Sequence, residues 1–425
     1  MTSTTGLVVV GAGPKAISVI AKAEAVRRCG GSVPEITVVE SGRIGGNWRE
    51  GSGWTDGHLS LGTSPLKDIG FPYSSRFSLS AEHDVDTVLA ELSWPNHLRL
   101  TGGYSDWVDR GCPAPQHREW GQYLAWVAES VGCRPLRGKV VSADIEDGWW
   151  VVGIDEGNGN PRIIRSRSLM PTGPGSAVTR FGDVPGLFSQ EDFWSSRGDL
   201  SRFVGSSVVV IGSGESAAGV ISRLAEVGPA RVTIVAPGAA VYSRGEGFFE
   251  NRLYSEPDGW ALLSVPQRRE FIRRTDRGVF SGDLVSRFSG VGQLTHVSAR
   301  VSGVRGSGEG PVVDVVKSDG TAESLTADSV VDASGGDPLW FTSLFGPETH
   351  RLVMGGRGDS AAVLEARMGH DLSVEGLDPK LFLPTLSMLN QGPGFGNLSC
   401  LGELSDRVLS GLGVEPGESS RVETA

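Results

Sequence analysis

Leu7-Val8-Val9-Val10-Gly11-Ala12-Gly13-Pro14-Lys15-Ala16 decides the fold. The same pattern returns about 200 residues later as Val208-Val209-Val210-Ile211-Gly212-Ser213-Gly214-Glu215-Ser216-Ala217. Each stretch is an apolar run, a G-x-G turn and the start of a helical segment. Unbroken Val and Ile suit a parallel strand buried on both faces. The glycines let the backbone approach a pyrophosphate, and the following helix end offers free N–H groups and a positive partial charge. One copy is weak evidence. Two copies, each in strand–turn–helix context, imply two bound dinucleotides, most economically a flavin and a nicotinamide that exchange electrons.

The strands that follow the two turns differ. Ile36-Thr37-Val38-Val39 ends at Glu40, and an acid there accepts from the hydroxyls of an adenosine ribose and repels a phosphorylated one. The first site therefore suits FAD or NAD and disfavours NADP; with FAD as the flavin of the pair, Gly11, Gly13, Pro14, Lys15 and Glu40 are its expected contacts. Val232-Thr233-Ile234-Val235 ends at Ala236-Pro237, with no acid. A 2′-phosphate is tolerated there and Arg244 is close in sequence to pair with it. NADPH is thus expected at Gly212, Gly214, Glu215, Ser216 and Arg244.

Bulk properties narrow the class. The chain has 425 residues and a net charge of −11, which disfavours nucleic acid as a partner. No apolar stretch is long enough to span a membrane, and no secretory leader is evident, so a cytoplasmic enzyme is expected. Cys29, Cys112, Cys133 and Cys400 form no C-x-x-C pair, and the histidines show no ligand spacing, so no metal site is expected.

Elsewhere, residues 41–110 read as a long irregular segment rich in Gly, Trp, Ser and Pro. Helix is expected over 117–132 and mainly helix over 250–290. Strands are expected near 139–143, 149–154, 297–304 and 311–317. Leu169 to Gly175 and Val330 to Gly336 each read as a strand entering a glycine turn. The expected architecture is α/β, with two Rossmann-like dinucleotide-binding domains: a split FAD domain carries an inserted NADPH domain, plus a small, mainly helical substrate-binding region. The divisions are 1–195 and 331–412 for the FAD and substrate domain and 200–330 for the NADPH domain, with a disordered tail over 413–425.

Gly45-Gly46-Asn47-Trp48 is similar to the G-G-x-W of flavin-dependent monooxygenases. Leu61-Gly62-Thr63-Ser64-Pro65-Leu66-Lys67-Asp68 resembles the lysine–aspartate motif of the microbial N-hydroxylating monooxygenases. Gly247-Phe248-Phe249-Glu250-Asn251, Val331-Asp332-Ala333-Ser334-Gly335 and the loop from Gln391 to Ser399 resemble three further segments of that family, in the family's order. The closest resemblance is to the lysine Nε-hydroxylase branch of mycobactin and nocobactin siderophore biosynthesis.

The resemblance implies that NADPH reduces FAD and that dioxygen adds to give a 4a-hydroperoxyflavin, whose distal oxygen goes to the side-chain amine of L-lysine. It places Lys67, Asn251 and Ser399 on the amino-acid substrate. Gly46, Asn47, Trp48, Trp54 and Leu398 fall at FAD and Ser334 at NADPH. It implies no dedicated protein acid or base, and a homo-oligomer. Two positions depart from the ornithine-type enzymes. Gly62 stands where they have glutamine, and Asp276 where they have asparagine. A carboxylate at Asp276 is expected to pair with the substrate's α-ammonium. L-ornithine is the alternative substrate. A disulfide reductase would need a cysteine pair beside the flavin. A Baeyer–Villiger enzyme would need an F-x-G-x-x-x-H fingerprint between the two units, which is absent. A non-catalytic flavin- and NADPH-binding redox sensor is the reading from another class.

Overall fold

A computed structural model describes the chain apart from residues 1, 2, 79–83, 158, 160, 176–179, 196–199, 357 and 416–425. Among the described residues, the first unit is a parallel sheet ordered Lys380–Leu381, Ser168–Pro171, Leu7–Val10, Ile36–Glu40, Leu136–Arg137. Val8 sits opposite both Thr37 and Leu169. Leu7, Val8 and Val9 are fully buried, as an unbroken apolar run requires. The chain leaves this sheet after Pro171 and returns at Lys380, which pairs with Ser168. The first unit is therefore split, and the second lies between its halves.

The second sheet is built on Ser207–Ile211, flanked in parallel by Arg231–Ala236 and Ser329–Asp332. An antiparallel meander of Leu294–Ser307, Gly310–Lys317 and Ala322–Thr326 extends one side. Leu187–Ser189 closes the other side against Ser329–Asp332. Two expected divisions shift as a result. Leu187–Ser195 belongs with the second unit, because its strand pairs there and Phe193 and Trp194 enter that unit's core. Val331 and Asp332 lie in the same sheet rather than opening the returning half.

The expectation of irregular chain over 41–110 is also corrected. Val85–Ala90, Trp94–Thr101 and Tyr104–Asp109 are helices. They are too short to show periodicity. Asp84 and Ser93 cap the first two, and buried Val85, Leu89, Trp94 and Trp107 anchor all three. Part of the expected tail is ordered, since Val414 is buried in the first unit's core. The rest, from 416, lies outside the described residues.

The helix after the first turn, Pro14–Arg28, starts with proline at its first position, where the missing N–H costs nothing. It is sheathed by the sheet and by the C-terminal helix Leu401–Gly411. At their contact Lys22 Nζ lies 2.9 Å from Asp406 Oδ1, with both side chains 2% exposed or less. Asp406 also accepts from Ser75 Oγ at 2.9 Å and the Arg76 N–H at 3.1 Å. The carboxylate is thus fully engaged, as a buried charge must be.

Candidate active site

Both glycine turns have the cradle geometry. Gly11 has φ +96° and Gly212 φ +122°. A Cβ at Gly11 would lie 2.8 Å from Thr172 Oγ1, and one at Gly212 would lie 2.7 Å from the Ala333 carbonyl oxygen. Only glycine fits either position. A Cβ at Gly13 would meet nothing within 4 Å, which leaves open space at the helix N-terminus. Glu40 is held beside this space. Its two carboxylate oxygens accept from the Ala12 N–H at 2.7 Å and the Gly42 N–H at 2.6 Å. These observations fit a dinucleotide with an unphosphorylated ribose.

Lys15 sits in the first turn of that helix, yet its side chain turns away from the open space. Nζ donates to the Gly396 carbonyl at 2.8 Å and to Thr385 Oγ1 at 3.1 Å. Burial pushes its pKa down to about 8. The side chain thus holds the C-terminal loop. Gly45 N–H donates to the Ala12 carbonyl at 3.0 Å, which ties the G-G-x-W segment to the first turn. Gly46 and Trp48 form a helical turn with exposed Asn47 between them.

A cleft of about 690 Å³ runs between the two units. Trp48, Trp54 and Leu398 form part of its wall on one side, and Glu215, Ser216 and Arg244 on the other. Lys67, Asn251 and Ser399 all line it, although 332 positions separate the outer two in the chain. Lys67 Nζ donates to Asn251 Oδ1 at 2.8 Å, and Asn251 Nδ2 donates to the Glu246 carbonyl at 2.7 Å. The asparagine amide is therefore fixed in orientation. Burial lowers the Lys67 pKa.

Asp68, beside Lys67, is buried and accepts from Tyr73 OH at 2.7 Å and the Trp94 N–H at 2.9 Å. Its pKa is pushed up to about 6 by burial. It organises the turn that presents Lys67 and does not itself face the cleft.

Arg244 does not lie free at the end of Arg231–Ala236. It crosses to the cleft, where Nη1 donates to the Gly62 carbonyl at 3.0 Å and Nη2 lies 3.1 Å from Glu215 Oε1. Glu246 is 3.7 Å from its Nε. Arg244 reaches a phosphate only by leaving these partners. Ser334 bonds Asp332 Oδ1 through its backbone N–H at 3.0 Å, next to Gly335 at φ +104°. Asp276 is absent from the cleft wall, although its neighbour Thr275 is present.

Motif reading missed several wall residues. Trp48 meets His117 edge-on at 4.8 Å, and burial pushes that imidazole down to about 4, so it is neutral at pH 7. Tyr254 OH donates to Thr275 Oγ1 at 2.7 Å, one helical turn beyond Asn251. Asn397 stands two positions before Ser399. Tyr254 and Asn397 had a signal only in their nearness to Asn251 and Ser399, and His117 had none.

No family model matches the chain. Full-length relatives do. The chain is 41% identical over 415 residues to the L-lysine N6-monooxygenase MbtG of Mycobacterium tuberculosis, covering 96% of this chain and 95% of that protein. It is 39% identical over 426 residues to MbtG of Mycobacterium sp. strain MCS, covering 98% of each.

The chain belongs to the L-lysine N6-monooxygenase family.

The solved lysine monooxygenase NbtG of Nocardia farcinica superposes with a TM-score of 0.83 at 39% identity, over 96% of this chain and 100% of that one. The ornithine hydroxylase PvdA of Pseudomonas aeruginosa shares the fold at 19% identity and a TM-score of 0.73. As a member of this family the chain is a flavin monooxygenase. Among the described residues no helix is long and apolar enough to cross a membrane.

Proposed function

We propose that the cleft hydroxylates the side-chain amine of L-lysine to Nε-hydroxylysine for siderophore assembly. FAD would lie on the first unit and NADPH on the second, with dioxygen as oxidant. The observation that carries the reading is Lys67, held 2.8 Å from Asn251 Oδ1 in a cleft that also holds Ser399. An ammonium has three N–H donors, so Lys67 keeps two for a substrate carboxylate after bonding Asn251. Ser399 adds a hydroxyl. The full-length similarity to L-lysine N6-monooxygenases supports the choice of amine.

Flavin, when bound, supplies the activation of dioxygen. The chain's residues have three tasks. Gly11, Gly13 and the N-terminus of Pro14–Arg28 receive the pyrophosphate, and Glu40 receives the ribose. Trp48, Trp54 and Leu398 give the wall its apolar area and keep water away. The wall also disfavours a charged substrate amine. A lysine ammonium has a pKa of about 10.4 in water, and it must lose its proton before it can attack oxygen. The neutral His117 adds no charge to this wall.

The test is hydroxylamine formation measured beside NADPH oxidation, with FAD added and with L-lysine, L-ornithine or no amino acid. Hydroxylated lysine well in excess of hydroxylated ornithine is the expected outcome. Product from ornithine alone would reject lysine as the substrate. Hydrogen peroxide as the sole product with both would reject the hydroxylase reading.

A further inference from the structure

Asp276 ends the helix Val265–Thr275, which falls in sequence between two strands of the second sheet, Arg231–Ala236 and Leu294–Ser307. It does not face the cleft. Its Oδ1 accepts a hydrogen bond from Asn397 Nδ2 at 3.1 Å. The other end of the same amide, Asn397 Oδ1, accepts the Ser399 N–H at 2.9 Å. Both ends of the amide are used, and reversing it would set acceptor against acceptor at Asp276 and donor against donor at Ser399. Asn397 and Ser399 both line the cleft.

The loop carrying them is tied from two sides. From the first unit, Lys15 holds the Gly396 carbonyl at 2.8 Å. From the inserted unit, Tyr254 presses on Gly394, where a Cβ would lie 2.3 Å from the Tyr254 carbonyl oxygen. The inserted unit also holds Asn397 itself, through the side chain of Asp276. The loop's anchorage therefore depends on both units being in place.

We propose that Asp276 and Asn397 form a positioning clasp for the substrate. Asp276 orients the Asn397 amide, and that amide fixes the backbone of Ser399, so the inserted unit sets the position of a substrate group carried by the first unit. Asp276 then acts on the amino acid through Asn397, and not as the anion for its α-ammonium. The clasp rests on the reading of the cleft as an amine hydroxylase site.

The experiment compares Asp276→Asn, Asp276→Ala and Asn397→Leu in flavin-loaded enzyme. Three readouts are taken: KM for L-lysine, hydroxylated lysine per NADPH oxidised, and hydrogen exchange of the segment around Ser399. Asparagine keeps an acceptor at position 276, so Asp276→Asn should leave KM and exchange within about twofold of wild type. Asp276→Ala and Asn397→Leu remove the bond. Each should speed exchange around Ser399 about tenfold and lower product per NADPH about fivefold, with flavin reduction by NADPH within about twofold.

A KM raised about tenfold by Asp276→Asn, matching Asp276→Ala, would overturn the clasp in favour of direct charge pairing. Unchanged exchange in both Asp276→Ala and Asn397→Leu would overturn it as well. If wild type hydroxylates no amine, the functional reading fails, and the exchange data still decide whether the clasp exists.

Discussion

The two glycine turns share a backbone and differ in what holds them. Gly11 N–H donates to Val39 at 2.8 Å and Gly212 N–H to Val235 at 2.9 Å, so each turn is closed by the same bond to the next strand. Their helices open from glycines of matching conformation, Gly13 at φ −82° and ψ −177°, and Gly214 at φ −97° and ψ −178°. Around the first turn, the anchors are buried and distant in sequence: Lys22 on Asp406, and Lys15 on Thr385 and Gly396. Around the second, the charged partners are Glu215 and Arg244, with side chains 33% and 18% exposed. A buried, satisfied anchor suits a ligand that stays. A partly exposed pair that an incoming anion can rearrange suits one that comes and goes.

The strongest way to break this contrast is Lys22→Ala. It leaves Asp406 charged and buried, which should cost about 3–5 kcal/mol in denaturant unfolding. A loss below about 1 kcal/mol would mean the first unit does not depend on that anchor.

Lys15 sharpens the contrast through pH. Its folded pKa of about 8 lies below the ordinary 10.5. The native state thus sheds the proton first, and stability rises as pH climbs from about 8 to 10.5, with the whole cost present below 8. Relative to Lys15→Met, wild type should gain roughly 3 kcal/mol over that window. Parallel pH profiles for the two proteins would contradict the buried charge.

Next come the glycines. Gly212→Ala puts a Cβ 2.7 Å from a backbone oxygen, whereas Gly11→Ala meets the Thr172 hydroxyl. Each should cost about 2 kcal/mol. Adding Thr172→Ala should restore part of the flavin binding lost in Gly11→Ala, read by flavin absorbance after gel filtration. No side-chain change should restore NADPH reduction in Gly212→Ala. Equal rescue of both would erase the distinction.

The smallest effect belongs to Glu215→Gln. It removes a negative charge beside the second turn and frees Arg244, so KM for NADPH should fall about two- to threefold. A rise in that KM would show that Glu215 helps to hold the nucleotide.

The turns and their strands were legible because two constraints coincide there: a buried parallel strand and a position only glycine can take. Lys67, Asn251 and Ser399 were legible through family motifs, and the fold brings all three to one cleft. What side chains do at a distance was not legible. Nothing local to Lys15 says that it spans 381 positions to Gly396. Asp276 carries a charge suited to a substrate ammonium, and only packing reveals that it is turned to Asn397. Trp94–Thr101 and its neighbours are too short for a periodic signal, and buried tryptophans hold them. Leu187–Ser189 joins the second sheet through an edge pairing that its three residues do not announce.

Splitting the first unit also sets an order of events on the ribosome. Ser207–Ile211, Arg231–Ala236 and Ser329–Asp332 can pair as soon as residue 332 emerges. Lys22 must wait for Asp406, 384 positions later. At roughly 5–20 residues per second, that is about 20–80 s during which the first helix carries a charge with no buried partner. The second unit's parallel strands are thus all present while the first unit is still open, and Leu401–Gly411 is the piece that closes it.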